Sequence, residues 1–194
     1  MGRPRSFDDR EAIAKAMEVF WTKGFERASL DDLADATGLN RSSLYNAFGG
    51  KLDLFHAALD TYRTGPIAQL LDPLLTRRGA QALRLFFGGL TEFVQTPEAT
   101  RGCMLVSTAA EPVGNVDDIR QRVQEHFDLL ESGFRRAYRE AIVDGDVSGE
   151  LNPSEVANWL LAFVRGLFVS AASGVDASEL TTCIRVTEKQ IGLG

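Results

Sequence analysis

The sequence predicts an all-α protein. Apolar residues recur three and four positions apart along most of its 194 residues, the spacing of one buried helix face. Glycines and prolines close several of these runs, and no stretch reads as a paired strand, a repeat or a low-complexity segment. Three short helices stand in front of five or six longer ones, so the chain divides into residues 1–51 and 52–194.

Residues 1–7 form a basic arm with a proline that discourages helix. Arg3 and Arg5 either reach nucleic-acid phosphates or a minor groove, or belong to a frayed terminus. Residues 8–23 predict an amphipathic helix through Ile13, Ala16, Met17 and Phe20, with Asp8, Asp9 and Glu11 at its positive end. Gly24 stops it and Phe25 packs back.

Residues 29–51, SLDDLADATGLNRSSLYNAFGGK, read as two short helices around a tight turn, followed by the start of a third. Ser29 and Asp32 have the spacing of a capping box. Leu30, Leu33 and Ala34 make the inward stripe. Gly38 ends that helix, Leu39 plugs the turn and Asn40 caps the next. In residues 41–48, Leu44 and Phe48 point inward. Arg41, Ser42, Ser43, Tyr45 and Asn46 then face out, short or polar. That is the arrangement a helix-turn-helix needs to enter a major groove. Arg41 suits bidentate reading of guanine or, as the other reading, a phosphate; Asn46 suits adenine or a phosphate. Ser42 and Ser43 can touch bases or phosphates. Ser29 and Lys51, at helix starts, suit phosphate, with capping alone as the other reading of Ser29 and a solvated surface lysine as that of Lys51.

Lys51 opens a long helix through Leu52, Phe55, Ala58, Leu59 and Tyr62. Gly65-Pro66 interrupts it, and residues 67–75 resume it. The break lies between the two halves and can pass a movement across. Residues 79–95 hold Leu83, Phe86, Phe87, Leu90 and Phe93 on another helix, ended by Pro97. Residues 101–110, nearly uncharged, read as a buried helix because a lone strand would have no partner. Residues 111–115 are a loop. Residues 116–144 form a long amphipathic helix through Ile119, Val123, Phe127, Leu130, Phe134, Tyr138 and Ile142. Residues 156–173 are apolar nearly all round, interrupted by Arg165, and residues 176–191 form the last helix.

The net charge of −6 does not suggest nucleic acid, but the first 51 residues are neutral: eight Lys or Arg balance eight Asp or Glu. A few placed cations, rather than bulk basicity, must supply affinity for DNA. Two cysteines make no disulfide framework. No leader pattern and no run of about 18 apolar residues is evident, so a cytoplasmic protein without a membrane partner is expected. His56 and His126 lack metal-ligand spacing, and no G-x-S-x-G, P-loop or G-x-G-x-x-G occurs. The chain therefore reads as neither enzyme nor metalloprotein, and no cofactor is expected. A helical adaptor would share the bundle but have no use for the Arg41 to Lys51 constellation.

Residues 8–60 resemble the N-terminal domain of tetracycline-repressor-like (TetR-family) regulators. The resemblance rests on Phe20 to Gly24 with Phe25, the S-L-D-D-L-A run from Ser29, Gly38-Leu39, Leu44-Tyr45, Phe48, and Lys51 with Leu54-Phe55. Residues 101–111 resemble an RGC-containing stretch of some members. The family usually has an aromatic or His between the Tyr and the Phe; here Asn46-Ala47 stand there. The resemblance implies a helix-turn-helix domain followed by a helical-bundle ligand-binding and dimerisation domain. It also implies a homodimer on a pseudo-palindromic double-stranded DNA operator, repression as the default, and a phosphate contact from the Tyr45 hydroxyl.

The aromatic content of the second half suits a cavity for a small, largely apolar effector. The candidate lining is Phe86, Phe87, Leu90, Phe93, Met104, Phe127, Trp159, Phe163 and Arg165. Arg165 has three readings: paired with a buried acid, facing an anionic ligand, or at a dimer seam. Small residues on the last two helices permit close approach of a second copy. Gly166, Leu167, Ser170 and Ile184 are the candidate interface residues. Cys103, two residues after Arg101, reads as a redox or electrophile sensor or as an inert core cysteine.

Overall fold

The computed structural model describes residues 8–194. Arg3 and Arg5 lie outside the described residues. All regular structure among these residues is helical. The head comprises α1 (Asp9–Lys23), α2 (Leu30–Thr37) and α3 (Arg41–Phe48). Asp8 caps α1 by accepting from the Arg10 N–H at 2.9 Å. Phe20 and Trp21 of α1 are buried against α4 (Lys51–Thr64): Phe20 meets Phe55 edge-on at 4.9 Å and Trp21 meets Tyr62 at 5.0 Å. The expected division after residue 51 thus falls at the first residue of a helix that also completes the head's core.

At Gly65 the backbone leaves helical geometry (φ −111°, ψ −100°) and Pro66 starts α5 (Pro66–Thr76). Proline suits this first position, where its missing N–H has no partner to lose. Pro73 lies inside α5, where sequence reading sees only a continuous run.

α6 (Gly79–Phe93) and α8 (Asp117–Asp144) form the centre of the body, where Phe86 and Phe134 meet edge-on at 5.0 Å. The helix expected over residues 101–110 is divided. A 3-10 turn, Pro97–Arg101, is followed by Gly102 and Cys103, and only then by α7 (Met104–Ala110). The reason lies in α9 (Pro153–Ala172): a Cβ on Gly102 would sit 2.9 Å from the Phe168 carbonyl oxygen, and φ is +65°. Only glycine meets both demands. The expected loop at 111–115 contains a second 3-10 turn, Pro112–Asn115.

α9 is not apolar all round in its packing. Val156, Leu160, Val164, Leu167, Phe168 and Ala171 are buried, whereas Trp159 and Val169 are exposed. An 18-residue window within its 20 residues reaches a mean hydropathy of 1.3, so by length and composition alone the helix could cross a membrane, as the core helices of other bundles also could. Its buried side belongs to a hydrophobic cluster that joins head and body among the described residues. α10 (Ala177–Gln190) closes the fold, capped by the Asp176 carboxylate, which accepts from the Ser178 N–H at 2.8 Å.

Candidate DNA-reading surface and effector cavities

Local hydrogen bonds set the head. The Ser29 hydroxyl accepts from the Asp32 N–H at 3.1 Å, and the Asp32 carboxylate accepts from the Ser29 N–H at 2.9 Å. Lys23 reaches the same carboxylate at 2.6 Å, and with Ser29 it pulls the Asp32 pKa down to about 2. Gly38 takes the left-handed conformation (φ 72°, ψ 13°) that turns α2 into α3, with open space where a Cβ would be. Conformation alone, not crowding, asks for glycine there. Asn40 caps α3 by accepting from the Ser43 N–H at 2.8 Å.

In α3 only Leu44 is buried. Arg41, Ser42, Tyr45 and Asn46 are exposed and Ser43 is half-buried. Tyr45 is 64% exposed, unusual for an aromatic side chain without a partner surface. Phe48 is half-buried against the core. The Arg41 guanidinium is not free in this state. It forks onto Asp31 of α2, Nε to Oδ1 at 2.8 Å and the second contact at 2.5 Å. Their hydrogen bond raises the Arg41 pKa and lowers that of Asp31. The pair is solvent-exposed and screened, so a guanine edge or a phosphate can compete for the guanidinium. Lys51 begins α4 with its ammonium 4.3 Å above the Phe25 ring and makes no ion pair among the described residues.

A second set of contacts, invisible in the sequence, fastens residues 101–111 to the head. The Trp21 indole N–H donates to the Gly102 carbonyl at 3.0 Å. Arg101 stacks on the Trp21 ring at 3.7 Å and pairs with Glu18. At the other end, the Glu111 carboxylate accepts from the Glu26 N–H at 3.0 Å and lies directly over Gly24. This strap holds α1 and the α1–α2 turn at two points. Between those two points, Cys103 and Val106 line a narrow crevice.

Several cavities open on the described residues, and three of them touch residues expected in the pocket. A cleft of 370 Å³ lies among Trp21, Tyr62, Pro66, Leu70, Phe93 and Phe168. A groove of 440 Å³ runs between α7, the following 3-10 turn and α8, lined by Val106, Ala109, Gly114, Val123, Phe127 and Arg165. A narrow crevice touches Ile67, Phe86, Cys103, His126, Phe127, Arg165 and Phe168. The two larger volumes suit a small molecule. Phe86, Phe93, Phe127 and Arg165 thus line cavities. Phe87, Leu90 and Met104 are packed into the core. Phe163 is half-buried, and Trp159, expected in the pocket, is 40% exposed on the outer side of α9. Helical periodicity puts Trp159 on a different face from Leu160 and Val164, which an unbroken apolar run conceals. Sequence reading missed Ile67, Leu70, Val106 and Phe168, whose apolar spacing looks like that of any core residue.

Of the expected interface residues, Gly166 is exposed and Ser170 half-buried. Leu167 and Ile184 are buried inside the protomer, at 4% and 1% exposure, and so are core residues. Cys103 is fully buried beside Tyr62, and burial pushes its thiol pKa up. This opposes a reactive thiolate and fits the inert reading. Cys183 is exposed. No group of three metal-ligating side chains occurs among the described residues.

His126 lies at the crevice, 4% exposed. Burial, with Arg63 and Arg165 nearby, lowers its pKa from 6.5 to about 4. The folded chain keeps it neutral while the unfolded chain protonates it below about 6.5. Its contribution to stability is therefore complete above that pH and lost as pH falls towards about 4, by up to roughly 3 kcal/mol. Urea unfolding across this window should show the loss, and His126→Leu should flatten it. An unchanged slope in the variant would assign the acid sensitivity elsewhere.

The comparisons with known proteins agree with this architecture. Residues 12–58 match the tetR family of bacterial regulatory proteins, and residues 79–186 match the tetracyclin repressor-like C-terminal domain. The HTH-type transcriptional repressor ComR of Escherichia coli is 26% identical, over 92% of this chain and 86% of its own. The uncharacterized HTH-type regulator YezE of Bacillus subtilis is 30% identical over 77% of this chain and 78% of its own. Among solved structures, a cysteine mutant of the TetR family regulator CifR, complexed with 26-bp double-strand operator DNA, superposes with a TM-score of 0.84. It is 29% identical, with 97% of this chain and 98% of that chain covered. With both halves matched in order and the recognition helix exposed between two capped turns, the chain belongs to the TetR family of DNA-binding transcriptional regulators.

Proposed function

We propose that this regulator is an effector-controlled repressor that binds a pseudo-palindromic operator as a homodimer, in the cytoplasm where DNA is accessible. The observation that carries the reading is α3, which buries Leu44 and displays Arg41, Ser42, Tyr45 and Asn46. In this reading Arg41 leaves Asp31 for a guanine, Asn46 reads or braces a neighbouring base, and Ser42 and Ser43 complete the groove contacts. Tyr45, Lys51 and Ser29 hold phosphates, with the Ser29 cap kept. Arg3 and Arg5 extend the contact beyond the recognition helix.

Trp159, Phe163, Gly166 and Ser170 are spaced four, three and four apart, so they share one outward face of α9. Val169 beside them and Val186 of α10 are 54% and 47% exposed. Apolar surface grouped this way suits a four-helix interface with a second copy. An effector in the body would move the strap or the Gly65-Pro66 joint and thereby change the spacing of the two recognition helices.

Selection of bound DNA from a random pool, followed by anisotropy on the selected site, tests the reading. A two-fold symmetric site is expected. Arg41→Ala should reduce discrimination at one base pair per half-site by about tenfold to a hundredfold. Lys51→Gln should weaken binding to every sequence and lower the salt slope by about one for each phosphate that Lys51 neutralises. Full affinity in both variants would reject this docking.

A further inference from the structure

Arg165 is out of place on α9. It is a charge within an apolar helix, and it reaches both the crevice and the 440 Å³ groove. Its guanidinium lies over the Phe127 ring at 3.8 Å, so one face is occupied. Its edge is not. Nε is buried without a hydrogen-bond partner, and the side chain forms no ion pair among the described residues. The carboxylate that acts on it electrostatically, Asp128, is engaged by the Gln124 amide at 2.6 Å. Arg120, the other cation of the groove, is already paired with Asp117.

An arginine cannot discharge itself to escape this situation, because its pKa stays too high. A cation with an unused fork, beside a groove whose walls combine Val106, Ala109, Val123 and Phe127 with Asn115 and Gln124, lacks a partner that a ligand can bring. We infer that this groove takes a small monocarboxylate, its carboxylate on the Arg165 fork and its aromatic or aliphatic body along Val106, Ala109, Val123 and Phe127, an assignment that rests on the effector reading above. One fork matches the two oxygens of one carboxylate. A dianionic phosphate would need a second cation held beside Arg165, and Arg120 is 62% exposed, where water screens its pull on an anion. A cationic ligand meets repulsion from Arg165. The anionic reading therefore narrows a largely apolar effector to an amphipathic acid.

The test uses matched pairs on the full chain: phenylacetate against phenylacetamide, and hexanoate against hexanamide, with binding read by calorimetry. The acids should bind at least about tenfold more tightly than the amides, the range of a charge-assisted hydrogen bond. Arg165→Gln should erase that preference, Arg165→Lys should retain part of it, and Arg120→Gln should leave it unchanged. Equal binding of acid and amide to the parent protein overturns the inference, as does the absence of acid binding at millimolar concentration. An acid preference that survives Arg165→Gln also overturns it. The parent comparison stands whether or not the Gln variant folds. Operator release is followed separately by anisotropy. Acids that bind through Arg165 without releasing DNA refute effector control and leave the anion site intact. Release by neutral compounds alike in parent and Arg165→Gln, together with equal binding of acid and amide, does the reverse.

Discussion

Replacement of Trp21 by Ala should destabilise the protein by about 3–5 kcal/mol, the range for removing a buried aromatic side chain. The ring is 8% exposed and packs edge-on against Tyr62 at 5.0 Å. It also carries the Arg101 guanidinium on its face and donates to the Gly102 carbonyl. One deletion therefore opens a cavity between α1 and α4 and strips the strap of two of its attachments. Trp21→Phe separates these effects. It keeps an aromatic ring against Tyr62 and loses the indole N–H, at a cost of about 1–2 kcal/mol. If the strap carries the effector signal, Trp21→Phe should bind operator within about twofold of the parent but need more effector for release. Denaturant unfolding gives the first quantity and anisotropy the second. A variant as stable and as responsive as the parent would show that the strap is passive.

The second large effect is expected at the outer face of α9. On the proposed homodimer reading, Trp159→Asp combined with Val169→Asp should convert the dimer to a monomer and lower operator affinity by about a hundredfold to ten-thousandfold, because the second half-site no longer binds as part of one molecule. Trp159 and Val169 are exposed in the protomer, so its helical content and unfolding should change little. Leu167→Ala and Ile184→Ala make the contrast. Both side chains are core residues, and their truncation should cost about 2–5 kcal/mol of protomer stability rather than act on assembly directly. Light scattering and chemical unfolding distinguish the two outcomes. A double Asp variant that remained dimeric would place the interface elsewhere.

The two predictions divide the molecule where sequence and structure part company. Helix order, the α2–α3 turn and the break at Gly65-Pro66 are written locally. Capping partners lie within three residues, Gly38 sits at its own left-handed position, and Pro66 fixes its own φ. The outward set on α3 follows from the same short-range pattern, since burying Leu44 leaves its neighbours facing away. Which side of α9 is inside was not legible. Its apolar residues cover most of its circumference, and only packing against the rest of the body chooses Leu167 over Trp159 for the core.

The sequence by itself determined an all-helical chain with a helix-turn-helix at its front, because capping, turn and periodicity signals act over a few residues. Tertiary structure alone decided three further matters. Arg41 waits on Asp31, ten positions away. Among the described residues, Arg165 is left without a counter-ion beside a groove. The strap reaches the head through Trp21 and Gly102, 81 positions apart. Such contacts depend on which faces meet when helices distant in sequence pack, and no local pattern encodes that choice.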